Sequence, residues 1–223
     1  MEFYLNDGKQ VSLVGSEDYD ASNLKNQYNV GIMLSGGLDS CLLLSMLCEN
    51  FDRQTYVVFT IDKPDGSAMW TEKILDYLSD RYPTNNYYQQ IIQGGDEDET
   101  KELGITGKVG LVDIVNNYYN KFGILYSGNT ENPPIELDHN TAEPDRNAAL
   151  RIQEKWIGEF ILPFAHLNKS HTVELAHKFN FDHVFTMTHT CTERPRGRCG
   201  VCWQCRERQW GFSENNLQDP GKL

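Results

Sequence analysis

Val30-Gly31-Ile32-Met33-Leu34-Ser35-Gly36-Gly37-Leu38-Asp39-Ser40-Cys41-Leu42-Leu43-Leu44 is the stretch that decides the fold of this 223-residue chain. Apolar runs at residues 30–34 and 41–47 flank a hexapeptide of small and polar residues. That order predicts a buried strand, a tight turn and a helix over about residues 39–48. Successive glycines let the backbone turn sharply and leave no Cβ between its N–H groups and an incoming anion. The helix that follows aims its positive end at the same spot. Ser35, Gly36, Gly37, Leu38 and Ser40 are therefore candidates to cradle phosphate, the serines through their hydroxyls. Asp39 does not suit a bare phosphate and is explained by a divalent cation between the two. An ATP-using enzyme is implied; a plain turn before a helix is the alternative.

No G-x-x-x-x-G-K-[ST] occurs in the chain, so the loop is not a Walker A motif. It resembles the S-G-G-x-D-S pyrophosphate loop of the PP-loop ATP pyrophosphatases. The resemblance implies cleavage of ATP between its α and β phosphates and adenylylation of a carboxylate or carbonyl-type oxygen, and it makes kinases and simple ATPases poorer candidates.

Outward from the loop, short apolar segments alternate with helical patterns. Residues 3–5 and 11–14, joined by a turn at Asp7-Gly8, predict a β-hairpin. Strands are expected at 29–34, 55–61, 87–92, 123–126 and 183–187, with 160–164 extended. Helices are expected at 68–81 with Ser67 as N-cap, and at 109–121, 148–158 and 170–180. Residues 94–102 read as an acidic surface loop, and 127–145, with Pro133, Pro134 and Pro144, as a long irregular connection of the kind that often carries function. Alternating strands and helices imply an α/β fold, a doubly wound, mostly parallel sheet covered on both faces. Ligands of such sheets bind beyond the carboxyl ends of the strands. That rule brings together residues 35–40, 61–62, 127–131 and the segment starting at Thr188. The expected organisation is a hairpin extension at 1–28, an ATP-binding domain at 29–190 and a cysteine-bearing segment at 191–223.

A formal net charge of −12 disfavours broad nucleic-acid binding and favours a small-molecule substrate. The chain shows no membrane-length apolar run and no signal-peptide pattern near Met1, so a cytoplasmic location is expected. Arg194, Arg196, Arg198, Arg206 and Arg208 crowd one segment. They are either a solvated surface or a clamp on substrate carboxylate or phosphate.

The six cysteines divide in two. Cys41 and Cys48 lie seven residues apart on the apolar side of the first helix and read as small core residues. Cys191, Cys199, Cys202 and Cys205 supply four soft ligands that can close tetrahedrally on zinc, with Gly200 suiting the tight knuckle. Two disulfides or an iron–sulfur cluster are the other readings, the first at odds with the cytoplasmic expectation. His189 is a possible substitute ligand. Four protein ligands mean a structural metal.

Taken together, the loop, Asn168-Lys169-Ser170-His171-Thr172-Val173-Glu174-Leu175-Ala176, and Cys191 with Cys199-Gly200-Val201-Cys202-Trp203-Gln204-Cys205-Arg206-Glu207-Arg208 resemble the 7-cyano-7-deazaguanine synthases of queuosine biosynthesis, whose tail reads C…C-G-x-C-x-x-C-x-x-R. The resemblance implies an adenine nucleotide alpha-hydrolase-like fold with a C-terminal zinc knuckle. It implies a ligase that activates 7-carboxy-7-deazaguanine with ATP as an acyl-adenylate, forms an amide with ammonia, and dehydrates it to the nitrile for tRNA or DNA modification. Magnesium would be held by Asp39 and Glu131, and Lys169 would stabilise departing pyrophosphate, although alone it reads equally as a solvated lysine before a helix. Adenine would lie against Phe59, Thr60 and Ile61, and a homodimer is expected. Where the family has a G-A-N-A-x-D-Y-S-G-Y-P-D-C-R-type stretch, this chain has Ser127-Gly128-Asn129-Thr130-Glu131-Asn132-Pro133-Pro134, and only Gly128, Asn129 and Asp145-Arg146 echo it. Another adenylylating PP-loop enzyme, an amide ligase or a tRNA thiolase, and an inactive zinc-stabilised nucleotide-binding module are the competing readings.

Overall fold

Continuous apolar runs such as Tyr56-Val57-Val58-Phe59 are stable as strands only when both sheet faces are covered, and they form the centre of this fold. A computed structural model describes residues 1–15, 29–93, 123–131, 137 and 159–221. Within these, β1 (Glu2–Tyr4) and β2 (Gln10–Ser12) form an antiparallel hairpin. β3 (Asn29–Met33), β4 (Thr55–Asp62), β5 (Asn86–Gln93), β6 (Ile124–Ser127) and β7 (Glu159–Ile161) form a parallel sheet in the order β5-β4-β3-β6-β7. The chain moves from β3 to one side and returns to the other, so β3 and β6 flank the switch point, where α/β sheets open a crevice at their carboxyl ends.

Side chains alternate across this sheet. Val30, Ile32, Tyr56, Val58, Ile124 and Tyr126 join the main core, whereas Val57, Phe59 and Leu125 form a cluster on the other face with Met33, Ile92 and Phe160. Helix α1 (Leu38–Asn50) is buried from Ser40 to Cys48, so it runs through the core and not over its surface. Cys41 and Cys48 lie in that core, where burial pushes both thiols up to about 12. Helix α2 is Ser67–Arg81, α3 Lys169–Lys178, α4 His183–Met187 and α5 Trp203–Glu214.

The hairpin buttresses α3. Phe3 packs edge-on against Phe179 at 5.0 Å, the Asn6 N–H donates to Glu174 at 2.7 Å, and Lys178 donates to the Tyr4 carbonyl at 2.9 Å. Tyr126 bridges the Val14 N–H and carbonyl, tying the hairpin to β6 as well.

Two expectations are corrected. Residues 183–187 are a helix, although His-Val-Phe-Thr-Met favours a strand by propensity. Asn180 at φ 64 ends α3, and the Val184 and Phe185 N–H groups bond back to Phe181 and Asp182, which turns Val184 and Phe185 together into the core. Gly66 at φ 79, and not Ser67, occupies the N-cap of α2. The Ser67 hydroxyl instead donates to the Ile61 carbonyl at 2.7 Å and accepts from the Lys63 N–H at 3.1 Å, closing the β4–α2 turn. The helices expected at 109–121 and 148–158, the acidic loop at 94–102 and most of 127–145 lie outside the described residues. Among the described residues no helix is long and apolar enough to cross a membrane.

Candidate active site

The turn after β3 is held open by its own side chains. The Ser40 hydroxyl accepts the Ser35 N–H at 3.1 Å and donates to the Gly37 carbonyl at 3.3 Å, while Ser35 Oγ accepts the Gly37 N–H at 3.3 Å. Gly36 sits at φ 79, and a Cβ there would stand 2.9 Å from Trp70 Cβ, so position 36 admits only glycine. Gly37 is the N-cap of α1, with no side-chain cap on the helix end. The first turn of α1 thus has no side-chain acceptor at its N-terminus, and an uncapped helix start is a geometry that accepts an anion.

Asp39 lies in that first turn and faces α3. Its Oδ2 pairs with the Lys169 ammonium, and its Oδ1 accepts the Thr172 hydroxyl at 2.9 Å. Lys169 is only 4% exposed, so the solvated alternative for this lysine is corrected: it is a buried cation beside the loop. Its placement follows from local sequence. Asn168 caps α3, accepting the Ser170 and His171 N–H groups at 3.0 and 3.3 Å, and His171 Nδ1 accepts the Asn168 N–H at 3.0 Å. His171 must then carry its proton on Nε2, which donates to Asp7 of the hairpin turn at 3.1 Å. From the other side, a Cβ on Gly211 of α5 would come within 2.8 Å of Lys169 Cγ, so the glycine lets the helices close around the lysine.

The remaining predicted residues fall around this centre to different degrees. A Cβ on Gly128 would meet the Asp39 carbonyl and the Ser40 nitrogen at 3.0 Å, so the end of β6 lies directly on the first turn of α1. Asn129 accepts the Ser127 hydroxyl at 2.9 Å. Glu131 lies 3.6 Å from Lys9 of the hairpin, and its N–H donates to the Leu167 carbonyl at 2.7 Å. Phe59, Thr60 and Ile61 are buried in β4 beside β3, with the Phe59 carbonyl accepting the Leu34 N–H at 2.8 Å and the Thr60 hydroxyl donating to Thr71 at 3.2 Å.

Several residues at the loop had no signal of their own in the sequence. Trp70 stacks on His189 with ring centroids 5.0 Å apart and 5° between planes, and donates through Nε1 to the Pro195 carbonyl at 2.9 Å. The His189 N–H donates to the Gly36 carbonyl at 2.9 Å, and its Nε2 lies 2.6 Å from the Arg194 carbonyl. His189 therefore braces the loop and lies outside the cysteine group. The bond from Thr172 to Asp39 spans 133 residues and the approach of Gly211 to Lys169 spans two helices, so neither shows in the local sequence.

Cys191, Cys199, Cys202 and Cys205 bring their sulfurs within 4.8 Å of one another and could hold a metal ion. Tetrahedral zinc at about 2.3 Å from each sulfur requires separations of about 3.8 Å, so small side-chain adjustments suffice. Burial would raise the Cys199 thiol, yet the Cys202 and Val201 N–H groups donate to it and bring it down to about 6. Burial pushes the Cys205 thiol of the same group up to about 12. All six cysteines are free thiols.

The arginine cluster is neither a uniform solvated surface nor one anion clamp. Arg208 is fully buried and donates to Asp219, Thr188, Thr190 and the Phe185 carbonyl, while Arg198 pairs with both Asp219 oxygens. These two arginines knit the segment 185–190 to α5 and the residues beyond it. Arg194 and Arg196 are exposed, and Arg206 donates to the Leu137 carbonyl.

A family model described as "Queuosine biosynthesis protein QueC" matches residues 146–216. The chain is 38% identical over 61 residues to the 7-cyano-7-deazaguanine synthase of Gloeobacter violaceus, covering 26% of each protein. It is 38% identical over 64 residues to that of Aliarcobacter butzleri, covering 29% of this chain and 27% of that protein. The match thus spans about a quarter of the length of these curated relatives. Among solved structures, the U34-tRNA thiolase NcsA from Methanococcus maripaludis with its [4Fe-4S] cluster aligns with a TM-score of 0.48 at 14% identity, over 90% of this chain and 69% of that one. NMN synthetase from Francisella tularensis aligns with a TM-score of 0.48 at 16% identity, over 91% and 82%. The chain is thus similar over residues 146–216 to the queuosine biosynthesis family model, and over about a quarter of its length to two 7-cyano-7-deazaguanine synthases.

Proposed function

We propose that the chain is an ATP-dependent synthase that adenylylates 7-carboxy-7-deazaguanine and, with ammonia, converts its carboxylate to the nitrile 7-cyano-7-deazaguanine. One observation carries the reading. An uncapped helix N-terminus behind a two-glycine turn meets a buried Lys169–Asp39 pair at the switch point of the sheet, and Lys169 lies within the stretch that is similar to the synthases.

In this reading the N–H groups of Gly36, Gly37 and Leu38 and the hydroxyls of Ser35 and Ser40 receive the terminal phosphates of ATP. Asp39, with Glu131, would hold magnesium; a carboxylate that already takes a cation as partner suits one, and the metal supplies charge neutralisation on the phosphates. Backbone groups of Phe59, Thr60 and Ile61 face adenine, and Gly128 and Asn129 line the approach. A substrate carboxylate oxygen attacks the α phosphorus, and pyrophosphate leaves toward the Lys169 ammonium. Ammonia adds to the acyl carbon, and AMP departs with that oxygen, leaving the amide. A second ATP takes the amide oxygen in the same way; loss of AMP and two protons gives the nitrile. Zinc on the four cysteines would be a closed structural metal that contributes folding energy and no chemistry at the reacting carbon. A homodimer and a cytoplasmic location accompany the reading.

Substrate labelled with ¹⁸O in both carboxylate oxygens provides the test. Two AMP per nitrile, each with one ¹⁸O, is the expected result. Unlabelled AMP would refute oxygen adenylylation. A second reading, adenylylation of a different acid, is favoured by the departure of Ser127-Gly128-Asn129-Thr130-Glu131 from the family stretch; it predicts labelled AMP only with that other acid.

A further inference from the structure

We propose that Thr172 is a positioning residue that keeps the Asp39 carboxylate aimed at the crevice when Lys169 leaves it for phosphate; the inference rests on the ATP reading above. The two carboxylate oxygens have separate partners, the Lys169 ammonium on Oδ2 and the Thr172 hydroxyl on Oδ1 at 2.9 Å. Lys169 and Thr172 are three residues apart in α3, so one helix face delivers both. An incoming triphosphate competes for the ammonium, and a divalent cation approaching Asp39 repels it. Once the lysine turns, Oδ2 is released to the crevice and the carboxylate needs another hold.

Thr172 is built to remain in place. It is fully buried, and its branched Cβ restricts χ1. Its hydroxyl lies 3.1 Å from the Lys169 carbonyl as well, but the charged Asp39 oxygen is the stronger acceptor. The helix start is fixed by the Asn168–His171 capping box and by the hairpin contact of His171 with Asp7. The flexible lysine stem can swing while the threonine cannot. The arrangement leaves Oδ1 fixed and Oδ2 free, which is the single-oxygen hold that suits magnesium.

Thr172→Val keeps the shape and removes the hydroxyl, Thr172→Ser keeps the hydroxyl, and Thr172→Ala is a second variant without it should valine not fold. The Mg²⁺ dependence of ATP binding is followed by calorimetry, and pyrophosphate release in parallel. Thr172→Val should raise the Mg²⁺ midpoint roughly ten-fold or more, as expected for a lost hydrogen bond to a charged group, with ATP affinity in chelator unchanged and most of the loss recovered in Thr172→Ser. A wild-type midpoint in Thr172→Val, or an equal defect in Thr172→Ser, would overturn the inference alone. A wild-type protein that binds no Mg·ATP would overturn the functional reading and the inference together.

Discussion

Asp219→Ala should lower the thermal midpoint by roughly 6–20 °C, a figure that follows from what the carboxylate holds. Arg208 is fully buried and directs Nε and Nη2 to Asp219 at 3.0 and 3.2 Å, Nη1 to Thr188 and Thr190 at 2.9 and 3.1 Å, and Nη2 also to the Phe185 carbonyl at 2.6 Å. Arg198 donates to both oxygens of the same carboxylate. Alanine would remove acceptors from both guanidinium groups and take away the carboxylate that the two like charges share. Breaking a buried pair from one side costs about 3–5 kcal/mol. In a chain of this size each kcal/mol moves Tm by about 2–4 °C. Burial would raise the Asp219 carboxyl, but the hydrogen bond from Arg198 and the charge of Arg208 hold it below the ordinary carboxylate range. With the folded pKa below the unfolded one, the stabilisation is complete above about pH 4 and is lost as pH falls through the folded value. Calorimetry of wild type and Asp219→Ala from pH 7 to pH 3 should show a Tm gap that is constant above about pH 4 and narrows below it. A gap under about 2 °C at neutral pH, or one unchanged at pH 3, would refute the reasoning.

Gly128→Ala should weaken ATP binding and cost about 1–3 kcal/mol of stability, because its methyl would press on backbone atoms of Asp39 and Ser40 at 3.0 Å; titration and melting curves matching wild type would show that β6 yields freely. Asp39→Asn should abolish magnesium- and ATP-dependent pyrophosphate release while circular dichroism and zinc content stay unchanged, and retained turnover would remove Asp39 from the metal role. Cys202→Ser, or chelation of the wild type, should lower zinc content and Tm together, since a structural metal's binding energy is folding energy; normal stability without zinc counts against that role.

Much of this architecture was legible in the sequence because it is encoded locally. The apolar–GlyGly–apolar order around residues 35–40 specified the strand, turn and helix, and the cysteine spacing specified a compact four-sulfur group. Residues 183–187 were misread because strand propensity is intrinsic to His-Val-Phe-Thr-Met, whereas burial of Val184 and Phe185 is a tertiary demand. Arg208 was ambiguous for a related reason. Its saturation by Asp219, Thr188, Thr190 and Phe185 draws on the segment 185–190 and on a residue beyond α5. The partners of Asp39 were equally hidden, since spacing named Lys169 only as a lysine before a helix, and nothing in its composition distinguished Thr172 from an ordinary helix threonine.

The central claim is that the loop at residues 35–40 and the Lys169–Asp39 pair activate a carboxylate with ATP. Its most direct test is to incubate the zinc-loaded protein with magnesium, ATP, ammonium and 7-carboxy-7-deazaguanine and to follow AMP, pyrophosphate and deazapurines by mass spectrometry. Substrate-dependent AMP and pyrophosphate with amide and nitrile products is the predicted result; ADP and phosphate, or no ATP cleavage with this or any other acid, would contradict it.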